Sequence, residues 1–329
     1  MRMRMPVVAA ALVLTAPVFA ARDARGEAEI VRARYLMGTR LELTIVADLP
    51  EAADAAAEQV FRIIAEQEAI LSNWRTDSPV SRFNRALRSE QRKLARTKLL
   101  EPVLEAAASC VSATAGDFSP LIEPLSRIWE IRSGGADPGP IAIRRARRRS
   151  SPRALQRLVA GRRARRIELD TGGFGKGYAL DLALRSLHAT TGVQTVVANF
   201  GGQIAVWPED QALAASVADP LHRERAVAAL AVNGGSVATS GGIERLIKAH
   251  GEGWTTIINP RTGWPVEPWG TVTAWADNAT LADCYSTAAF AAGPVDAPIY
   301  ARKHPEAGFI IVRATPNGYD IQRFGKLAE

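Results

Sequence analysis

The order of the predicted elements favours an α+β fold, in which strands and helices mix without the regular alternation of a doubly wound sheet. Near the amino end, a strand pattern over residues 32–46 is followed by helical spacing over residues 51–74. Past the middle, glycine-rich turns separate several short strand patterns before helical spacing returns. With 329 residues, 47% of them hydrophobic, the chain has enough apolar material for one large domain or two interlocked ones.

The first twenty residues have the order of a secretory signal peptide. Arg2 and Arg4 precede an uncharged apolar run over residues 6–19, and small residues follow the run. Because the run is short for a membrane span, we expect cleavage after Ala20 and export to the periplasm; an uncleaved anchor or a core helix is the alternative. No cysteine follows the run, so no lipid anchor is indicated. Residues 21–329 are then expected to form a single domain.

Periodicity predicts the remaining elements in chain order. Helices are predicted over residues 51–74, 99–115, 177–190, 280–292 and 295–303. Strands are predicted over residues 32–46, 166–169, 195–198, 204–206, 236–238, 254–258, 271–275 and 308–312. Residues 132–140 are rich in glycine and proline, which predicts a surface connection.

The chain has two cysteines, Cys110 and Cys284. Two are too few for a disulfide framework, and the pair lacks the CxxC spacing of a zinc site. An oxidising compartment permits one bridge, but both residues lie in apolar helical patterns, which favours two buried free thiols.

The formal net charge is +7, and much of the excess is local. Arginines crowd one stretch at positions 144, 145, 147, 148, 149, 162, 163, 165 and 166. A nucleic-acid patch usually combines basic with aromatic residues, and no aromatic residue alternates with these arginines. We therefore expect a solvated basic face on a peripheral helix and loop, and no nucleic-acid partner.

A glycine-rich segment, DTGGFGKGYALD at residues 170–181, lies between a predicted strand and a predicted helix. Its glycines allow backbone N–H groups and a helix N-terminus to approach a phosphate, because no Cβ obstructs the approach. The dinucleotide fingerprint is excluded because Tyr178 stands where its last glycine belongs. A Walker loop is excluded because Gly177 follows Lys176. The segment is a candidate anion cradle, with a plain glycine turn as the alternative.

A second candidate element is the pair Asp283 and Thr287 on the predicted helix 280–292. At i and i+4 the two side chains project from one face. A carboxylate and a hydroxyl so placed are hard oxygen donors that suit Mg²⁺ bound to substrate phosphates. A helix cap or a solvated residue is the alternative for Asp283.

Eight segments in a fixed order make the chain resemble the ApbE-type FAD:protein FMN transferases from about Tyr35 to Phe309. They are MGTRLEL at Met37, LSNWRTDSPVSRFN at Leu71, GDFSPLIEPLSRIW at Gly116, DTGGFGKGYALD, NFGGQI, SVATSGGIER, INPRTGWPV and ADCYSTAAFAAG. The resemblance implies two intertwined mixed α/β subdomains with a flavin cleft between them. It also implies Mg²⁺ at the pyrophosphate of FAD, held by Asp283, by Thr287 and by the main-chain carbonyl of Gly175.

The resemblance further implies which residues contact the flavin. Carried over by position, they are Met37, Trp74, Asp117, Phe118, Ser119, Gly172, Tyr178 and Ile257. Trp74 occupies a place where the family usually has an aromatic residue, and its task would be stacking on a flat ring. A core or surface tryptophan is the alternative reading for Trp74.

The chain departs from the family pattern at a position that bears on catalysis. Thr256 stands where the family typically has a histidine, which is a candidate proton-handling or substrate-orienting group. Besides Asp283, Thr256 is thus the second position expected at the catalytic centre, and FMN transfer is expected to be slower. His250 is a possible substitute base, with an exposed loop histidine as the alternative. Further departures are Asn259, Ser119 and Gln203, each where aspartate is common.

The activity implied is Mg²⁺-dependent transfer of FMN from FAD to a Thr or Ser hydroxyl of an exported acceptor protein, with release of AMP. Three other functions stay open. The first is an FAD diphosphatase, in which water replaces the acceptor hydroxyl, and the second is a non-catalytic periplasmic FAD-binding protein, which the Thr256 departure would favour. The third is binding of nucleic acid or an anionic membrane through the arginine stretch, although membrane association is not required for the transferase.

Overall fold

Residues 27–88, 98–160, 167–222, 224–241 and 246–328 are described by the structure, a computed structural model. The predicted signal peptide lies outside these residues, as do Arg162, Arg163, Arg165 and Arg166 of the arginine stretch.

The fold is organised around one eight-stranded sheet in the order β1-β2-β3-β4-β7-β10-β11-β12, with every neighbouring pair antiparallel. Its strands are β1 (Ala28–Leu36), β2 (Thr39–Ala47), β3 (Val193–Phe200), β4 (Gln203–Trp207), β7 (Ser236–Gly241), β10 (Thr271–Ala276), β11 (Gly308–Thr315) and β12 (Gly318–Gly325). Two hairpins stand apart from it: β5 (Ala212–Ala218) with β6 (Ala226–Asn233), and β8 (Leu246–Ala249) with β9 (Glu252–Thr255). The sheet therefore joins hairpins of adjacent strands, β1–β2, β3–β4 and β11–β12, to strands from distant parts of the chain, and its pairs are antiparallel as in an α+β fold.

The helices lie before, within and after this set of strands. They are α1 (Pro50–Leu71), α2 (Pro79–Arg88), α3 (Glu101–Ala113), α4 (Glu123–Ile128), α5 (Pro140–Arg149), α6 (Arg153–Val159), α7 (Gly175–Arg185), α8 (Ala279–Ala291) and α9 (Ala297–Lys303). Short 3₁₀ turns precede α3 and follow α7. None of the helices in the described ranges has the length and apolar character of a membrane span.

The two faces of the sheet carry different cores. On β10, Val272 and Ala274 belong to the core beneath α8, whereas Trp275 packs on the opposite side with residues of the β5–β6 hairpin. This is the period-two alternation of a strand buried on both faces. On the helical side, α1 and α7 cover the β1–β4 half and α8 covers the β7–β10 half, so the two halves meet where α7 packs against α8.

The predicted strand 32–46 is two strands joined by a tight turn. Met37 and Gly38 have φ values of 48° and 76°, which end β1 and start β2 in a two-residue hairpin. Two positive φ values are what a type I′ turn requires, and glycine supplies only one of them without strain. The alternation of Leu41, Leu43 and Ile45 marks β2 correctly, since all three are fully buried.

The predicted strand at 166–169 is wrong for the residues described there, because Ile167 to Asp170 form no strand. Polar side chains bind this backbone in place of a neighbouring strand. Asn84 accepts from the Leu169 N–H at 2.7 Å and donates to its carbonyl at 2.8 Å. The Asp170 N–H donates to the Pro120 carbonyl at 2.7 Å. An apolar pattern alone does not reveal that backbone partners come from side chains.

The prediction of two free thiols is also wrong. Cys110 of α3 and Cys284 of α8 form a disulfide, with their Cα atoms 5.8 Å apart. Both cysteines are fully buried, as their apolar helical patterns indicate. The sequence places them 174 residues apart, and only the packing of α3 on α8 brings them together.

Candidate active site

The N-terminus of α7 is packed directly against the N-terminus of α8. A Cβ on Gly177 would lie 2.1 Å from the carbonyl oxygen of Ala279, so only glycine fits at this crossing. The start of α8 is fixed a second time by Asp181 of α7, which accepts from the N–H groups of Ala279 and Thr280 at 2.8 and 2.9 Å. Burial raises the pKa of Asp181. We call this contact the α7–α8 junction.

Asp283 points into the junction and is almost completely buried, at 4% exposure. Its Oδ2 accepts from the Gly177 N–H at 3.3 Å and lies 3.4 Å from the Nζ of Lys176. The predicted anion cradle and the predicted metal carboxylate therefore meet in space. Both contacts are at the long end for hydrogen bonds to a carboxylate, which leaves Asp283 weakly satisfied for a buried charge.

Thr287 lies one turn after Asp283, against the glycine-rich segment. Its Oγ1 is 3.4 Å from the Oγ of Ser240 at the end of β7, and Ser240 also hydrogen-bonds Ser286 at 2.9 Å. A Cβ on Gly173 would come within 3.2 Å of Thr287 and 2.8 Å of the Phe118 ring. Gly173 thus lets Phe118, Thr287 and the segment backbone approach one another.

The residues at the junction fit the Mg²⁺ that the resemblance implies. They provide one carboxylate on Asp283, one hydroxyl on Thr287 and the main chain at Gly175, the first residue of α7. This all-oxygen set with few charges suits a cation that keeps waters and binds substrate phosphates. In the described part of the chain, no group of three His, Cys, Asp or Glu side chains is placed to hold a metal. The ligands predicted here include only one of these residue types, Asp283, so they would not be found as a group of three.

Four of the predicted flavin residues belong to one large core or pack against it. Phe118 and Tyr178 belong to the same buried core as α8, and Met37 and Ile257 pack against its edge. Phe118 lies edge-on to Phe174 of the glycine-rich segment, with ring centroids 6.3 Å apart. Met37 takes its φ of 48° without the freedom of glycine, a conformation that costs energy and is typical of functional positions.

Asp117 and Ser119 lie on the turn after α3, and each contacts a residue from another part of the chain. The Ser119 hydroxyl donates to the Ser150 carbonyl at the end of α5, at 2.6 Å. Asp117 is 3.6 Å from the guanidinium of Arg261. Ser119 is buried and its proton is already engaged within the protein.

Trp74 is largely exposed, at 70% exposure. The guanidinium carbon of Arg132 lies 5.9 Å from its ring centroid. Arg132 also bonds Asp170 at 2.8 Å, and Asp170 accepts from the Gly172 N–H at 2.8 Å. An unburied tryptophan beside the glycine-rich segment is available to stack on a flat ligand.

Arg132 was not among the predicted site residues, and it links three of the elements around the glycine-rich segment. It also forms a two-pronged ion pair with Glu123 of α4, at 2.6 and 3.0 Å. Burial, followed by the nearby charge of Asp170, raises the pKa of Glu123 to about 7. The sequence gives no signal for Arg132, because it lies in a segment predicted to be a surface connection. Lys176 was likewise missed, although it lies inside the glycine-rich segment.

The structure gives Thr256 no hydrogen-bonded link to the α7–α8 junction among the described residues. It follows β9 directly and is half-buried, beside the fully engaged Thr255. His250 is exposed, has a φ of 51°, and packs against Trp264 with ring centroids 5.3 Å apart. Its surroundings are those of an exposed turn at the far end of the β8–β9 hairpin.

The fold and the junction define a class of α+β proteins in which a glycine-rich segment at a helix N-terminus faces a buried carboxylate. Comparison with known proteins identifies the family within that class. Residues 37–311 match the model of the ApbE family, and the chain belongs to that family.

Similar proteins of known name support the same assignment. The chain is 27% identical over 294 residues to an FAD:protein FMN transferase of Treponema pallidum, covering 80% of this chain and 79% of that one. It is 26% identical over 294 residues to one of Klebsiella pneumoniae, covering 84% and 82%. The apo flavinyl transferase ApbE of Pseudomonas stutzeri has the same fold, with a TM-score of 0.72, 21% identity and coverage of 92% and 98%.

Proposed function

We propose that this chain is an exported, Mg²⁺-dependent FAD:protein FMN transferase. Family membership supports the transferase chemistry, and the signal-like residues 1–20 support export to the periplasm. The observation that carries the proposal is the contact between the glycine-rich segment and Asp283, at 3.3 Å from Gly177. Burying a carboxylate is costly unless the charge is paired, and a bound cation would pair with Asp283. The helix N-terminus opposite would bind the phosphates that the cation also contacts.

The chain's own residues would bind and orient the dinucleotide. The N–H groups at the start of α7 would face the diphosphate, and Lys176 would move from Asp283 to a phosphate oxygen once a cation shares the carboxylate. Trp74 would stack on the flavin ring, with Phe118 and Tyr178 forming the apolar wall. When bound, Mg²⁺ held by Asp283, Thr287 and the Gly175 carbonyl would neutralise diphosphate charge.

The reaction balances as a substitution at phosphorus. The hydroxyl oxygen of an acceptor Thr or Ser forms a bond to the FMN-side phosphorus of FAD, and the bond from that phosphorus to the bridging oxygen breaks. AMP leaves with the bridging oxygen, and the hydroxyl proton passes to a base or to water. A positioned base contributes about 10²–10⁴-fold, so Thr256 in place of histidine slows this step without preventing it.

The test is to incubate the purified chain with FAD and Mg²⁺, with and without a periplasmic extract of the source organism. Flavin that stays with the protein fraction after acid precipitation, and AMP released in equal amount, supports transfer. Free FMN formed at the same rate with or without extract would identify an FAD diphosphatase instead. Bound FAD that is never consumed would identify a flavin-binding protein without catalysis.

A further inference from the structure

A strongly basic surface lies on α5 and α6, which we call the arginine face. Its members are Arg144, Arg145, Arg148, Arg149, Arg153 and Arg157, all exposed. No acidic residue occurs between Asp137 and Glu168, and within the described ranges none of the six forms an ion pair. Most other exposed arginines are neutralised, as Arg32 is by Asp54 at 2.7 Å.

The spacing of these arginines works against the helix that carries them. Arg144 and Arg148, like Arg145 and Arg149, are four residues apart and therefore neighbours on the helix surface. Like charges at this spacing destabilise a helix, and only those in its last turn are favoured by the helix dipole. A charge pattern that the fold itself does not use points to a partner of opposite charge.

Helix α5, which carries four of the six arginines of the arginine face, contacts the turn that carries two of the predicted flavin residues. The carbonyl of Ser150, the residue after α5, accepts from the Ser119 hydroxyl at 2.6 Å. Arg147 of α5 donates to the carbonyl of Arg261 at 2.8 Å, and Arg261 lies 3.6 Å from Asp117. The helix that carries the arginines therefore rests on the turn that carries the predicted flavin residues Asp117 and Ser119.

An exposed tryptophan lies at the edge of the same surface. Trp264 is 37% exposed and its ring centroid is 4.8 Å from that of Trp129. The neighbouring Gly263 is packed between Ile143 and Arg147 of α5. Arginine and tryptophan are the residue types most enriched at the energetic centres of protein interfaces.

We propose that the arginine face binds the acidic surface of the acceptor protein and so brings its hydroxyl to the flavin site. The inference rests on the proposed function and specifies its protein substrate as one with Asp or Glu near the modified Thr or Ser. A membrane is a less suitable partner for α5, because its apolar residues Ile143 and Ala146 are buried in a core cluster with Leu125 and Trp129. Ile141, at 59% exposure, is the one large apolar side chain that α5 leaves in solvent, and a single side chain is too little apolar surface to insert among lipids.

The test uses three pools of short peptides with a central threonine, in which two flanking positions are fixed as Asp, Asn or Lys. Each pool is incubated with the purified chain, FAD and Mg²⁺, and covalent FMN is counted by mass spectrometry. The variant R144Q/R145Q/R148Q removes three charges from the face, leaving Arg147 and its bond to Arg261. The matched control R32Q/R34Q/R62Q removes three exposed charges from β1 and α1.

We expect the wild-type chain to label the Asp pool about tenfold more than the Asn pool at low salt, and the Lys pool least. The preference should fall to about twofold in R144Q/R145Q/R148Q, persist in the control, and weaken at high salt in the wild type. A preference unchanged in R144Q/R145Q/R148Q would overturn the proposal, as would equal labelling of all three pools.

Two further outcomes separate the proposal from its alternatives. If anionic phosphatidylglycerol vesicles bind the wild type but not R144Q/R145Q/R148Q, while the Asp preference is equal in both, the face is a membrane surface and the proposal is wrong. Labelling of extract proteins but of no peptide would also contradict it, because nearby acidic residues would then not suffice. Absence of FMN on every peptide and every extract protein contradicts the proposed function itself.

Discussion

The α7–α8 junction and the arginine face are built in opposite ways. At the junction, glycines let backbones approach until a single Cβ at Gly177 would collide with Ala279 at 2.1 Å. On the arginine face, six long side chains extend into solvent without ion pairs among the described residues. At the junction the identity of a residue is therefore fixed by packing. On the arginine face packing allows many side chains, and the residues share only their charge.

The largest effect is expected at Asp283, the carboxylate of the junction that faces the glycine-rich segment. Asp283→Ala should lower FAD consumption by roughly 100-fold or more, the scale of losing one electrostatic contact to a reacting group. It should also abolish the dependence on Mg²⁺. The matched control is Asp277→Ala, which removes an exposed carboxylate just before α8. Steady-state assays over a Mg²⁺ series measure both; unchanged Mg²⁺ dependence in Asp283→Ala would show that the junction holds no metal.

The second largest effect is expected on stability when the disulfide is reduced, since the Cys110–Cys284 bond links α8 of the junction to α3. Reduction in denaturant, followed by refolding with dithiothreitol, should lower the free energy of unfolding by about 2–4 kcal/mol. The chain has only these two cysteines, so a reductant acts on one bond. The Cys110→Ala/Cys284→Ala variant is the control and should respond to no reductant. Equal urea midpoints for oxidised and reduced wild type would rule out a stabilising bridge.

A matched pair of glycine substitutions tests the packing contrast directly. Gly177→Ala should cost about 1–3 kcal/mol, because its Cβ meets the main chain of Ala279 and α8 must shift. Gly139→Ala, at the N-cap of α5, should cost less than about 1 kcal/mol, because its φ is −69° and a Cβ there would meet no atom within 4 Å, so that only the weaker capping by alanine counts. Similar unfolding midpoints for both variants would contradict the close approach of α7 and α8.

Glu123 of α4, which pairs with Arg132, predicts a smaller effect that depends on pH. Its pKa is raised to about 7 from an ordinary 4.5, so the folded state binds a proton that the unfolded state has lost. The stabilisation is complete below the unfolded pKa and is lost as the pH rises through about 7. Wild-type stability should therefore fall relative to Glu123→Gln by up to about 1 kcal/mol per pH unit in this range. A difference between the two proteins that is flat from about pH 5 to pH 8 would argue against the raised pKa.

The sequence predicts the two elements of the α7–α8 junction, but it does not predict the contacts around them. The glycine-rich segment and the Asp283 helix were each recognisable from spacing, and the structure brings them to within 3.3 Å. The disulfide was not, because it joins residues 174 positions apart, and the ion pairs of Arg132 were not, because they depend on how α4 and the glycine-rich segment pack around it. The missing strand before Asp170 has a similar cause, since its backbone is bound by the side chain of Asn84.

For the arginine stretch, the sequence predicts the local properties but not the tertiary contacts. Its charge and its helix were predictable, and the prediction of a solvated basic face is confirmed for α5, whose arginines are exposed. The contact of Ser150 with Ser119, which attaches this face to the predicted flavin residues, depends on tertiary packing alone. The same applies to Trp264, which a sequence scan for aromatics between the arginines does not find.

The smallest effect completes the comparison. In R144Q/R145Q/R148Q, the free energy of unfolding should stay within about 0.5 kcal/mol of the wild type, because exposed charges without partners contribute little to the fold. A slight gain is expected at low salt, since the variant relieves repulsion along α5, and the gain should vanish as salt screens it. Urea unfolding at two ionic strengths measures both the change in the free energy of unfolding and its dependence on salt. A loss of several kcal/mol would mean that these arginines support the core, and the contrast between a packed junction and a charged surface would then fail.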